Sequence, residues 1–182
     1  MGEARPSLPV KLICGVLAGR GEWLDAACPL LERELGPIDL SSETWPFDFT
    51  DYYEKEMGPG LLRRFYSFRE LMNPEHIVDV KHATNRLEKV LSGKLSGGPP
   101  RPVNLDPGYE CGSKLVLAST KDYSHRIYLR AGIFAEVTLR WRSGKFEPLE
   151  WTYPDYRTER YWEFFSRVRG IYMEQLREKG LA

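Results

Sequence analysis

Cysteine is scarce in this chain, net charge is absent, and no apolar run is long enough to span a bilayer. The three cysteines, Cys14, Cys28 and Cys111, are odd in number, widely spaced and never form Cys-x-x-Cys. That pattern argues against a disulfide framework or zinc ribbon and for a reducing compartment. The 26 Lys and Arg residues are matched by 26 Asp and Glu, so the broad basic face of a nonspecific nucleic-acid or membrane-surface binder is missing. Nowhere do about 18 apolar residues run together, and Met1 to Pro9 holds no apolar stretch of signal-peptide length. A cytoplasmic protein with no membrane association is expected.

Several chemical signatures are missing too. Gly93-Lys94 is followed by Leu95 and Gly144-Lys145 by Phe146, so neither completes the Gly-x-x-x-x-Gly-Lys-[Ser/Thr] loop that cradles nucleotide phosphates. A P-loop GTPase or ATPase is excluded. No Gly-x-Ser-x-Gly elbow, His-Glu-x-x-His or paired His-x-Thr/Ser motif occurs. Gly15, Gly19 and Gly21 have the wrong spacing for a dinucleotide fingerprint. His76 and His82 lack the i, i+4 spacing of helical zinc ligands and read as helix-surface residues.

What is present is a globular composition, 42% apolar and 13% aromatic over 182 residues. A chain of this size buries about 70% of its unfolded surface without a staple. Residues 10–17 read as a buried strand, and Leu24, Ala27, Leu31 and Leu35 then fall on one face of a helix that Pro29 should kink or delay. Residues 47–53 and 61–68 are aromatic-rich and read as two antiparallel strands. Helical spacing returns from Pro74 through Ile77, Val80, Thr84, Leu87 and Leu91. Residues 92–102, rich in Gly, Pro and Ser, read as a flexible linker loop between two halves of one domain. Four more strands are expected at 103–106, 114–120, 125–130 and 134–142, and a last helix at 158–179 with Tyr161, Phe165, Val168, Tyr172 and Leu176 on one stripe. The expected fold is a single α+β domain, residues 1–182, with a mostly antiparallel sheet of six or more strands and about three helices.

The informative residues are polar side chains on, or at the ends of, apolar strands. If residues 47–53 form a strand, Asp51 shares the parity of Phe47, Phe49 and Tyr53, and a carboxylate on an aromatic face must be paired or bound; otherwise it caps a turn. Asn104-Leu105-Asp106-Pro107-Gly108-Tyr109 reads first as a turn, yet Asn104 and Asp106 share a face and could bind a ligand or cation. His125 is the histidine best placed for acid, base or ligand chemistry, and Asp122 could orient it across a tight turn. Lys114, Lys121 and Arg126 supply cations nearby. Glu136, Thr138 and Arg140 share the polar face of their strand, which is either solvated or, if the sheet curves, an anion-binding wall.

The blocks Phe47-Asp48-Phe49-Thr50-Asp51-Tyr52-Tyr53, Asn104-Leu105-Asp106-Pro107-Gly108-Tyr109, His125-Arg126-Ile127-Tyr128-Leu129 and Trp151-Thr152-Tyr153-Pro154-Asp155-Tyr156 together resemble the prokaryotic domain-of-unknown-function family 4416 (DUF4416). The resemblance spans nearly the whole chain and implies no established activity. The reading taken from the residues is a small enzyme or ligand-binding protein for an anionic or phosphorylated substrate. In it His125, Asp122 and Asp51 serve as catalytic residues, and Asn104, Asp106, Lys114, Lys121, Arg126 and Glu136 bind; a divalent metal held by Asp51, Asp106 and Asp122 is one form of it. Four of these, Asp51, Asp106, Asp122 and His125, are expected to meet in one pocket. The alternatives are an RNA-binding module with Arg126, Arg130, Arg140 and Arg142 on phosphates, and a protein-interaction domain without a small ligand. The sequence identifies no cofactor and no oligomeric state.

Overall fold

The computed structural model describes residues 2–95 and 97–182. Met1 and Ser96, the second of which falls inside the expected linker, lie outside the described residues. One antiparallel sheet organises the chain, in the order β2-β4-β1-β5-β6-β8-β7, with β3 paired to β4 and β9 to β8. Its strands are β1 (Val10–Ala18), β2 (Ile38–Ser41), β3 (Trp45–Pro46), β4 (Leu62–Met72), β5 (Val103–Cys111), β6 (Lys114–Ser119), β7 (Ile127–Arg130), β8 (Ile133–Arg142) and β9 (Lys145–Pro148). The helices are α1 (Gly21–Leu35), α2 (Glu54–Met57), α3 (Ile77–Lys94) and α4 (Glu159–Glu178).

Strand β1 lies at the centre and is buried on both faces. Its alternate residues Leu12, Cys14, Val16 and Ala18 pack with Leu24, Ala27 and Leu31 of α1 and Leu87 and Leu91 of α3. Ile13, on the opposite face, joins Phe65, Leu115, Leu139 and the Phe164, Phe165 and Val168 stripe of α4. The result is three layers, with α1 and α3 on one side and α4 on the other. Burial of these side chains, at roughly 1.5–3 kcal/mol each, supplies the driving force. All five residues of the expected α4 stripe are buried.

Three local expectations are corrected. Residues 47–53 are not a strand: β3 ends at Pro46, and Thr50 accepts a hydrogen bond from the Tyr52 N–H at 3.1 Å to open a 3-10 turn, Asp51–Tyr53, that runs into α2. The alternation of aromatic and polar residues there imitates a period of two without pairing. Asp106-Pro107-Gly108 is not a turn but the middle of β5, where Pro107 stands opposite Cys14. β6 pairs only from Gly108 onward, so Pro107 sits where β5 has a neighbour on one side alone. A side chain at Gly108 would place Cβ 2.3 Å from the Val116 carbonyl oxygen, which is why glycine occupies this close approach. Finally, α1 runs unbroken through Pro29, whose position is on the exposed side.

Candidate ligand-binding cleft

A cleft of about 380 Å³ opens on the α4 side of the sheet, between residues 47–53, the segment after β6 and residues 153–156. Volume in this range suits a small ligand. Its walls are aromatic: Phe49, Tyr52, Tyr53, Tyr123 and Tyr153 face it. Its floor is ionic.

The floor is built across three strands. Arg63 of β4 and Asp106 of β5 flank the central strand β1, and their bond, Nη1 to Oδ2 at 3.0 Å, crosses it. Gly15 of β1 makes the crossing possible. It pairs with Phe65 on one side and Asp106 on the other, and a Cβ there would lie 3.0 Å from Arg63 Nη1 and 2.8 Å from the Phe65 ring. Asp155, which opens a short 3-10 turn, reaches Arg63 Nη2 from the other side at 3.6 Å. Three polar atoms beneath the floor, Arg63 Nε, Asp155 Oδ2 and the Tyr156 hydroxyl, are buried without a hydrogen-bond partner.

The electrostatics separate the two floor acids. Burial pushes the Asp106 carboxyl up, but Arg63, Lys81 and Arg101 together hold it below its usual value. Burial pushes the Asp155 carboxyl above its usual value, with Arg63 opposing only in part. Two acids driven apart by their surroundings can divide the roles of proton acceptor and donor. Burial would lower the guanidinium pKa of Arg63, yet Asp106 and Asp155 raise it, so it stays charged. Burial and the neighbouring Glu136 push the Tyr153 phenol up to about 12.

Four expected site residues line the cleft: Asp106, Lys121, Arg126 and Glu136. Asn104 stands behind them and donates to Asp106 Oδ2 at 2.7 Å. His125 lies outside, between the rings of Tyr123 and Trp151, and reaches the wall only through Glu136. Asp51, Asp122 and Lys114 do not line it. Asp51 is exposed at the start of its 3-10 turn, beside a smaller groove shared with Asp48 and Glu54. Asp122 is exposed after β6, and Lys114 is at the far end of that strand, opposite Arg140. The expected meeting of Asp51, Asp106, Asp122 and His125 therefore does not occur, because residues 47–53 and 125 are not in strands. Among the described residues no group of three or more His, Cys, Asp or Glu is arranged to hold a metal ion.

The polar face of β8 is a wall, not a solvated surface: Glu136 and Thr138 are buried, while Arg140 is exposed and pairs with Glu147. Arg126 is buried as well, and its donors are spent on Glu136, Ser119, the Lys121 carbonyl and Tyr153. Arg130 pairs with Asp79. Arg63, Asp155 and Tyr53 were not anticipated. The one available signal for Arg63 is its parity with the buried residues Phe65 and Ser67; Asp155 had none beyond its place in the aromatic block 151–156.

No helix among the described residues is long and apolar enough to cross a membrane. No curated protein and no solved structure matches this chain. A family model described as a domain of unknown function, DUF4416, matches residues 8–172, a span that contains the cleft and every strand and holds all four sequence blocks noted above, and the chain belongs to that family.

Proposed function

We propose that this protein binds a small anionic ligand, phosphorylated or carboxylated, in the aromatic cleft. Lys121 carries the proposal. Arg63 and Arg126 each have carboxylate partners, whereas among the described residues no carboxylate forms an ion pair with Lys121. Its Nζ meets the Tyr52 hydroxyl at 2.7 Å and lies over that ring. An uncompensated ammonium at the mouth of a concave, aromatic site attracts an anion, and low-dielectric walls strengthen the attraction. If the ligand is also a substrate, base work on it falls to Asp106, with Asp155 behind Arg63, and not to Asp51, Asp122 or His125. The three free cysteines support a cytoplasmic setting.

The RNA reading has less to stand on, since Arg126 is buried and Arg130 and Arg140 are engaged by acids. Calorimetric titration with phenyl phosphate tests the proposal. Binding that weakens about tenfold in Lys121→Ala and falls with added salt supports it; no binding, or binding indifferent to Lys121, removes it.

A further inference from the structure

Asp106 offers the ligand more than charge. Both hydrogen bonds it accepts, from Arg63 and Asn104, fall on Oδ2. The side chain keeps 28% of its exposure, and it lines the cleft. Oδ1 is thus an ionised acceptor toward the inner end of the cleft, while the more exposed Lys121 stands nearer solvent. A ligand that fills the cleft without a donor there strips water from a carboxylate oxygen and replaces it with nothing, which binding sites penalise heavily.

The donor is a neutral one. Arg63, Lys81 and Arg101 already act on the Asp106 charge, so an incoming ammonium would meet cations as well as the acid. A hydroxyl brings a donor without that repulsion. It also offers an acceptor, which the Tyr53 phenol can use: burial and Asp106 raise its pKa, so it keeps its proton. The aromatic side chains of Phe49, Tyr53 and Tyr153, which line the same cleft, give the C–H faces of a ring something to pack on.

We infer, resting on the reading that Lys121 holds the anion, that the ligand is a hydroxylated ring carrying a phosphate or carboxylate, its hydroxyls donating to Oδ1 of Asp106. The ligand class is therefore a sugar or cyclitol anion.

Three probes share a ring and a phosphate and differ at the inner end: myo-inositol 1-phosphate, cyclohexyl phosphate and 4-aminocyclohexyl phosphate. Titrated into the wild-type protein, the inositol phosphate should bind at least about tenfold tighter than either of the others. In Asp106→Asn its affinity should fall about tenfold, while that of cyclohexyl phosphate changes less than about threefold; should that variant fail to fold, the wild-type comparison decides alone. Equal or tighter binding of cyclohexyl phosphate, still weakened by Lys121→Ala, overturns the hydroxylated ring and leaves the anion site standing. Tightest binding of the amino compound overturns the neutral donor in the same way. If none of the three binds, the anion site falls and this inference with it.

Discussion

His125 and Arg126, neighbours in the chain, converge on a single oxygen: Nε2 of the first lies 3.1 Å, and Nε of the second 2.8 Å, from Oε2 of Glu136. In a strand, adjacent side chains point to opposite faces. Here β7 begins only at Ile127, and the preceding turn, closed by the Arg126 N–H on the Tyr123 carbonyl, aims both residues at the same acid.

The convergence is unequal. Arg126 and Glu136 are each 1% exposed at the side chain, so truncating the arginine strands a buried carboxylate. Arg126→Ala should lose about 3–5 kcal/mol in urea unfolding, and the double replacement Arg126→Met with Glu136→Leu should recover most of it. His125 is partly exposed, and its removal costs one hydrogen bond and two ring stacks, so His125→Ala should lose about 1 kcal/mol. Equal losses for the two single variants would show that Arg126 is not the anchor of this wall.

Gly15→Ala probes the crossing between Arg63 and Asp106. The added methyl would sit 2.8 Å from a Phe65 ring carbon, and that ring is fixed among Tyr156, Tyr161, Phe164 and Phe165. Neither neighbour can yield freely. Overpacking of this kind costs about 1–3 kcal/mol, measurable as a lower urea midpoint, and ligand affinity should fall with it because the floor moves. An unchanged midpoint would mean the floor is more plastic than its packing indicates.

The parts legible in the sequence are those where one periodicity holds over many residues. β1 and α4 are such runs, and so is α3, because each buries a continuous strip. The cleft residues Asp106, Lys121, Arg126 and Glu136 were legible for a different reason, being polar groups at the ends or on the inner faces of apolar strands. Arg63 was not, because its parity with Phe65 is the one local feature that separates it from Arg64: one crosses β1 to Asp106, the other turns out to Asp25. That difference is set by which face of β4 meets α4. Residues 47–53 deceived for the converse reason, having strand-like alternation with no neighbouring strand to pair with.

Acid should loosen the floor through Asp106. Its folded pKa lies below the unfolded value of about 3.9, so its contribution is present above that pH and is lost as pH falls through the folded value. Wild type should therefore exceed Asp106→Asn by about 3 kcal/mol at pH 7, with the gap closing below about pH 4. A gap that stays constant down to pH 3 would show that the Asp106 charge contributes nothing to holding Arg63.

The opposite sign is expected four residues further along β5, on the same face of the sheet. Glu110 of β5 pairs in register with Lys11 of β1 and is fully buried, yet neither of its carboxyl oxygens has a hydrogen-bond partner. Lys11 is turned instead to Asp39 and Gln175, and Arg169 to the Gly112 carbonyl and the Trp141 ring. Burial drives the Glu110 carboxyl well above its usual value, with Arg169 and Lys11 opposing too weakly to reverse it. Because the folded pKa is the higher one, the folded state binds the proton that the unfolded chain has already released. This favours folding fully only below the unfolded value of about 4.3, and the advantage drains away as pH rises toward the folded value. Glu110→Gln keeps the shape and removes the titration. The buried amide has its own unpaired atoms, so the diagnostic is the slope and not the absolute stability. Relative to wild type, the variant should gain up to about 1.4 kcal/mol per pH unit as pH rises above about 4.5, read from urea unfolding at a series of pH values. A difference independent of pH between 4.5 and 7 would mean that Glu110 ionises as freely in the folded protein as in the unfolded chain, and that its two oxygens are reached by water.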